Sequence, residues 1–227
     1  MSGKMKLLFI TKKPIKNPIK LLKMPIKQEF YRKIFHLFLF LIPFFFIKFG
    51  KAQFLIIFIP IAITVILIDY YRCKFDKLNQ IASKIFKTIM RDKEINQKKI
   101  SGMSWVFGGA SLNFLIFDKV IAVTGFCILI FADAMAAIIG KSIKSGPFYE
   151  KSRAGSLAFF ITAILVIIIS GLYFDCRLPF YFFAIFIAMF ITFTEAYPSF
   201  FVIDDNLLIP MTFGICMTLL NFMWHIL

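Results

Sequence analysis

Phe131-Ala-Asp-Ala-Met-Ala-Ala-Ile-Ile-Gly140-Lys-Ser-Ile-Lys-Ser-Gly-Pro-Phe-Tyr-Glu-Lys151-Ser-Arg-Ala-Gly-Ser156 decides how the rest of the chain is read. It starts inside an apolar segment that carries a carboxylate, Asp133, is expected to leave it at Gly140, crosses a short basic loop, and enters the next apolar segment at Gly155-Ser156. A charge within hydrocarbon costs roughly 2.5–3.5 kcal/mol on insertion scales, so such a residue has a partner and a task. Ala132, Ala134, Ala136 and Ala137 flank the carboxylate and let neighbouring helices approach closely. The basic loop suits a phosphate-bearing ligand. The stretch therefore describes a membrane-embedded site that opens to water on one face.

Composition agrees with that class. Of 227 residues, 60% are hydrophobic and 18% aromatic, and the mean hydropathy is +0.83, which implies an all-α polytopic transmembrane helix bundle. The net charge of +15 raises nucleic acid as a partner. The basic residues, however, lie between apolar runs, where topology and anionic lipid headgroups account for them. No nucleic-acid partner and no obligate protein partner is expected. Cys73, Cys127, Cys176 and Cys216 have no metal-site spacing and are expected to be unpaired packing residues.

Two regions follow from the pattern: a basic arm, residues 1–29, and a single membrane-embedded domain, residues 30–227. Pro-Ile-Lys recurs at 14–16, 18–20 and 25–27, and these prolines oppose a continuous helix. The arm is expected to lie on an anionic surface; Leu7 to Ile10 is too short for a signal-peptide core. About seven spans follow, near Ile34–Phe49, Phe54–Ile68, Met103–Phe117, Val120–Gly140, Leu157–Phe174, Phe180–Phe193 and Leu207–Leu227. The third, with Gly108, Gly109, Ser111 and Asn113, is expected to pack inside the bundle. Leu78, Ile81, Ile85 and Ile89 recur at helical spacing within 77–91, predicting an amphipathic helix on the membrane or across the bundle mouth.

The arm to residue 33 holds ten Lys and Arg, the loop 70–101 nine and the loop 141–154 four, against four on the other connections (Lys48, Lys51, Lys119, Arg177). This asymmetry predicts a cytoplasmic N-terminus and, with seven spans, a C-terminus on the opposite side. Four polar segments then meet on the cytoplasmic face: Arg32-Lys33-Ile-Phe-His36, Asp133, the loop bearing Lys151, Ser152 and Ser156, and the turn from Glu195 to Asp204-Asp205-Asn206.

Carboxylates that hold Mg²⁺ and cations that offset phosphate charge are what phosphoryl transfer requires. Asp133, Asp204 and Asp205 supply hard oxygen donors, Lys141 and Lys151 supply phosphate contacts, and Gly155-Ser156 at a helix start could present N–H groups to an anion. Each has a plainer reading. Asp204-Asp205-Asn206 is also an N-cap pattern, Arg32 and Lys33 are also topology signals, and His36 could be an ordinary helix-facing histidine. Gly140-Lys141-Ser142 resembles the end of a phosphate-binding P-loop, but Met135 stands where the first glycine belongs and no strand precedes it.

Taken together, Asp133-Ala-Met-Ala-Ala-Ile-Ile-Gly140-Lys141, Lys151-Ser-Arg-Ala-Gly155-Ser156, Glu195 and Ile203-Asp-Asp-Asn-Leu-Leu-Ile-Pro210 resemble the signature of the CTP-dependent polyprenol kinase family. That family includes dolichol kinases, phytol kinases and yeast-type diacylglycerol kinase, and is related to phosphatidate cytidylyltransferases. Arg32-Lys33-Ile-Phe-His36 resembles its N-terminal element, and Ser101-Gly-Met-Ser-Trp105 its small-residue segment; the match runs over roughly residues 30–215, in order. Lys141 stands where many members have Arg, and Ala137 where phytol kinases often have Asp.

The resemblance implies transfer of the γ-phosphate of CTP, with Mg²⁺ or another divalent cation, to the hydroxyl of a polyprenol-type or diacylglycerol lipid. It assigns Asp133, Lys151 and Asp205 to catalysis and Asp133, Asp204, Asp205 and Glu195 to the metal. Arg32, Lys33, His36, Gly140, Lys141, Ser152, Gly155, Ser156 and Asn206 fall to the nucleotide. Which carboxylate acts as base stays open. The alternative is a cytidylyltransferase acting on phosphatidate or a prenyl phosphate, although the signature of that group is absent. A transporter would need polar residues through both halves of the bundle, and the non-cytoplasmic halves are apolar. Within this scheme Lys151 and Arg153 are expected to serve the nucleotide, and walls that include Ala134 and Ala137 the lipid.

Overall fold

The computed structural model describes residues 34, 36–86, 92–197 and 203–227. The arm, Arg32, Lys33 and the stretch 87–91 with Ile89 lie outside the described residues. The elements in order are α1 (Leu41–Phe49), α2 (Lys51–Lys74), α3 (Asp76–Phe86), α4 (Asp92–Asn96), α5 (Gly102–Ile116), α6 (Lys119–Ser142), a hairpin of β1 (Pro147–Phe148) and β2 (Lys151–Ser152), α7 (Arg153–Tyr173), α8 (Leu178–Ala196) and α9 (Asp205–Trp224).

Five of these helices, α2, α6, α7, α8 and α9, are long and apolar enough to cross a membrane. Two shorter apolar helices, His36–Phe49 and Gly102–Ile116, join them. At 1.5 Å per residue each of these two reaches only about 21–23 Å, short of a hydrocarbon core of about 30 Å. The seven expected segments are thus all helical, but two fall short of full span length. The first is broken for a local reason. Pro43 crowds the carbonyl four residues earlier, and around Leu39 and Phe40 the chain tightens into three-residue turns, Leu39 N–H to His36 O and Phe40 N–H to Leu37 O. The third is held inside as expected, with Ser104, Val106, Gly109, Ala110, Asn113 and Phe114 buried.

The core is built around α6. Every residue from Ile121 to Ile130 is buried, and α6 touches α1, α5, α7 and α9, most extensively α7. The outer helices close around it through the pairs α2–α5, α5–α9, α9–α8 and α8–α7. One end of the bundle is filled by rings: Phe46 lies 4.5 Å from Phe114, Phe54 5.4 Å from Phe114 and Phe126 5.3 Å from Phe114. Large apolar side chains on the outer faces, such as Ile56, Ile169, Leu172, Phe182 and Phe222, are exposed, as hydrocarbon-facing surfaces are. The four cysteines are free.

Two expected boundaries move. Helix α6 runs to Ser142, so Gly140 does not end it and Lys141 lies within it rather than in the loop. Gly140 does not end the helix because its work is packing: a Cβ there would meet Ser152 Oγ at 2.8 Å and Gly155 Cα at 3.2 Å. The basic loop is in turn a two-stranded antiparallel hairpin, pairing Pro147 with Ser152 and Phe148 with Lys151. Helix α3 matches the predicted amphipathic segment, with Leu78, Ile81 and Ile85 all exposed along one stripe.

Candidate functional site

Because the long helices alternate in direction, the start of α5, α7 and α9 and the end of α2, α6 and α8 share the end of the bundle opposite the Phe46–Phe114 rings. The polar side chains gather there. Lys151, on β2, donates to Glu195 Oε1 at 2.6 Å. Glu195 sits in the last turn of α8 and is 2% exposed. A carboxylate at a helix C-terminus opposes the macrodipole and, when buried, needs a cation; Lys151 supplies it. The hairpin is fixed on α8 by two more contacts, Glu150 N–H to Ala196 O at 3.1 Å and the Phe148 ring 5.8 Å from that of Phe193.

Further carboxylates surround the ammonium. Burial opposes the charge of Lys151, but the fields of Glu195, Asp133 and Asp205 outweigh it and hold its pKa above the ordinary lysine value. Asp205, the first residue of α9, feels Lys151, Asp133, Glu195 and Asp204. Asp133 in turn lies 3.8 Å from His36, Oδ2 to Nε2. Three expected catalytic residues, Asp133, Lys151 and Asp205, are therefore brought within electrostatic reach of one another, with His36 and Glu195 at the edges.

Several expected ligands have other work. Asp204 is the N-cap of α9: its Oδ1 accepts from Asn206 N–H at 3.1 Å and from Asn206 Nδ2 at 2.6 Å. Asn206 Nδ2 also reaches Gly102 O at 3.4 Å, so that amide ties α9 to α5. Ser152 is the N-cap of α7, accepting from Gly155 N–H at 3.1 Å and donating to Gly140 O at 3.3 Å. The first turn of α7 does not present N–H groups to an anion. Arg153 N–H goes to Gly146 O, Ala154 N–H to Ser145 Oγ and Gly155 N–H to Ser152. Gly155 serves helix contact instead, since a Cβ there would press on Ala136 O at 3.0 Å. Lys141 is exposed in the last turn of α6, where a cation suits the dipole. Ala134 is 1% exposed and packed inside, so it does not form a lipid-facing wall.

Among the described residues, no three His, Cys, Asp or Glu side chains stand close enough to ligate one ion. A four-carboxylate cradle for Mg²⁺ is thus not assembled. The ion's own habits fit a smaller donor set, because Mg²⁺ is commonly held by one or two carboxylates and completed by substrate phosphate and water. One observation leaves room for a cation here: Glu195 Oε2 is buried without a hydrogen-bond donor, although the Lys151 ammonium already offsets part of the charge of Asp133, Glu195 and Asp205.

A second polar network lies outside the expected site residues. Asp69 Oδ1 accepts from Arg72 Nε at 2.7 Å, while its Oδ2 accepts from Ser101 N–H and Ser104 Oγ, each at 2.7 Å. Arg72 also donates to Asn79 Oδ1, Glu94 O and Lys99 O. Glu94 Oε1 caps Gly102 N–H at 3.1 Å. The signal was present in the sequence: Asp69 ends an apolar run and Arg72 follows three residues on, the spacing of a helical ion pair.

No family model matches the chain, and no solved structure matches it. Over 190 residues it is 32% identical to the uncharacterized protein RP860 of Rickettsia prowazekii (strain Madrid E), an alignment covering 83% of this chain and 92% of that protein. The chain belongs to the family of that Rickettsia protein.

Proposed function

We propose that the protein is a membrane lipid kinase that transfers the γ-phosphate of CTP to the hydroxyl of a membrane lipid, from a site at the polar end of the bundle facing the cytoplasm. The observation that carries this reading is the buried-end cluster of Lys151 paired to Glu195 with Asp133 and Asp205 in range. Phosphoryl transfer asks the protein mainly for positioning and for charge complementary to phosphate. Lys151 has three N–H donors. Glu195 takes one, leaving the others for phosphate oxygens. The resemblance of these residues to the polyprenol kinase signature supplies the identity of the nucleotide and the class of acceptor.

In the reaction the lipid oxygen forms a bond to the γ-phosphorus as the β–γ bridging P–O bond breaks. CDP leaves, and the hydroxyl proton passes to a carboxylate of the cluster. Glu195 holds Lys151 protonated and in place, so the ammonium is set before phosphate arrives. Asp133 and Asp205 are the residues that would hold a divalent cation. A divalent cation held there would offset the negative charge of the phosphate groups. His36 Nε2 lies 3.8 Å from Asp133 Oδ2, beyond hydrogen-bond distance but close enough to act on its charge.

The test uses purified protein in lipid nanodiscs with CTP labelled at either the γ- or the α-phosphate and a panel of lipid alcohols and lipid phosphates. Label from the γ position in a lipid alcohol supports the kinase. Label from the α position in a lipid phosphate would instead mark a cytidylyltransferase, and label from neither would remove both.

A further inference from the structure

A groove of about 240 Å³ opens between α7 and α8, beside the hairpin. Its walls include Phe148, Ser156, Phe160, Met189 and Thr192, and Arg153 stands at its edge. Both flanking helices are long and apolar enough to cross a membrane, and Met189 is exposed on their outer surface. The medium against such a face is hydrocarbon, so a lipid chain is the natural occupant.

Two features make this more than a gap between helices. Ser156 is 4% exposed, yet its Oγ has no hydrogen-bond partner. A buried helical hydroxyl ordinarily bonds the carbonyl four residues back, as Thr192 across the groove does to Ala188 O at 2.8 Å. Ser156 Oγ is instead left without a partner in the wall of the groove. The groove also adjoins the reactive cluster through both walls. Phe148 pairs across the hairpin with Lys151, and Thr192 lies three residues, one helical turn, before Glu195.

We infer that this groove seats one hydrocarbon chain of a membrane alcohol, with the alcohol oxygen hydrogen-bonded to Ser156 Oγ and pointed toward Lys151–Glu195. Ligand clefts run at about 300–1,000 Å³. The groove is smaller, so it holds the head end of a single chain while the remainder stays in the bilayer. A two-chain diacylglycerol would have to divide its chains between groove and bilayer, so the occupant is a single-chain alcohol. Arg153, whose Nε donates to Pro147 O at 3.3 Å, lines the mouth and meets the phosphate of the product. It serves the lipid side, not the nucleotide expected from its place in the basic loop. What becomes of the bound hydroxyl rests on the kinase reading; its seating does not.

The experiment is photo-crosslinking of the full chain in nanodiscs with a long-chain alcohol bearing a diazirine near its head, mapped by mass spectrometry. Adducts are expected on Phe160 and Met189, competed by unlabelled single-chain alcohol and not by diacylglycerol. Met189→Trp, at a partly exposed position, should fill the groove and lower adduct yield at least fivefold. Ser156→Ala should weaken competition by the alcohol but not by the corresponding alkane. Adducts spread evenly over other outward faces, or equal competition by diacylglycerol, would overturn the inference. The kinase assay separates the two ideas. Normal seating without label transfer to any lipid sinks the kinase and leaves the groove; undiminished transfer in Met189→Trp sinks the groove and leaves the kinase.

Discussion

Lys151 is the residue on which the site's charge balance turns. Its pKa is raised because three carboxylates outweigh its burial. The stabilisation from that pairing is fully present below the ordinary lysine value of 10.5 and is lost as pH rises through the higher folded value. Glu195→Gln removes the nearest carboxylate, so the Lys151 pKa should fall and the alkaline limb of the activity profile should move to lower pH. A pH–rate profile of both proteins checks this; an unmoved limb would take Lys151 out of the titration. Lys151→Ala should raise the apparent KM for CTP and lower kcat, because a phosphate contact that tightens as charge develops is lost. If only the KM for lipid changed, the ammonium would not serve the nucleotide. The sequence showed Lys151 and Glu195 as separate candidates 44 positions apart, and nothing local could reveal that they form one pair. Asp133 was legible by itself, since a carboxylate among alanines within an apolar run is too costly to keep without a partner. Ser152, Gly155 and Asp204 were legible as residue types but not as roles. Their cap and contact functions depend on which helix start they occupy.

Helix contacts decide where the reactive side chains stand. Gly140 and Gly155 let α6 and α7 meet backbone to backbone, which brings the Asp133-bearing helix against the hairpin that carries Lys151. Gly140→Leu should force the two apart at a cost of about 1–3 kcal/mol, read as a lowered midpoint of thermal unfolding in detergent, with activity falling further than stability. Gly109 does the same for α9. A Cβ there would press on Asn206 O at 2.8 Å, a carbonyl that Pro210, lacking an N–H, cannot satisfy. The Asp69–Arg72 network is the other fixed point. Arg72→Leu leaves Asp69 buried without its cation, and removing one partner of a buried pair costs about 3–5 kcal/mol. Its loss should free the 92–101 segment and be visible as faster amide exchange there. Helix periodicity and span length could be read directly from the apolar runs. The hairpin could not, because Pro147-Phe148-Tyr149-Glu150-Lys151-Ser152 has no Asn-Gly or Gly-Gly turn signal, and Tyr149 takes a positive φ of 53°.

At the scale of the whole molecule, the chain separates an apolar end packed with phenylalanine rings from a polar end that collects His36, Asp133, Lys151, Glu195 and Asp205. The proposed orientation, with the polar end in the cytoplasm, follows from charge asymmetry. In a background lacking the four native cysteines, cysteine at Asn96 or Ser145 should label from the cytoplasmic face, and at Asp175 from the opposite one. Labelling of 96 and 145 from different faces would break the single-site arrangement. That the polar segments share one end was readable from sequence through the alternation of spans and the distribution of Lys and Arg. The closeness of α7 and α8, and so the groove between them, was not, because it follows from packing that no single segment encodes. The most direct measurement is transfer from γ-labelled CTP to a single-chain lipid alcohol by the intact protein and by Asp133→Asn, each purified, folded and compared in the same nanodiscs. Labelled lipid phosphate is expected from the intact protein, with a loss of about 10²–10³-fold or more in the variant, the scale of removing one electrostatic contributor to a transition state. Equal transfer by both, or none by the intact protein with any alcohol, would contradict it.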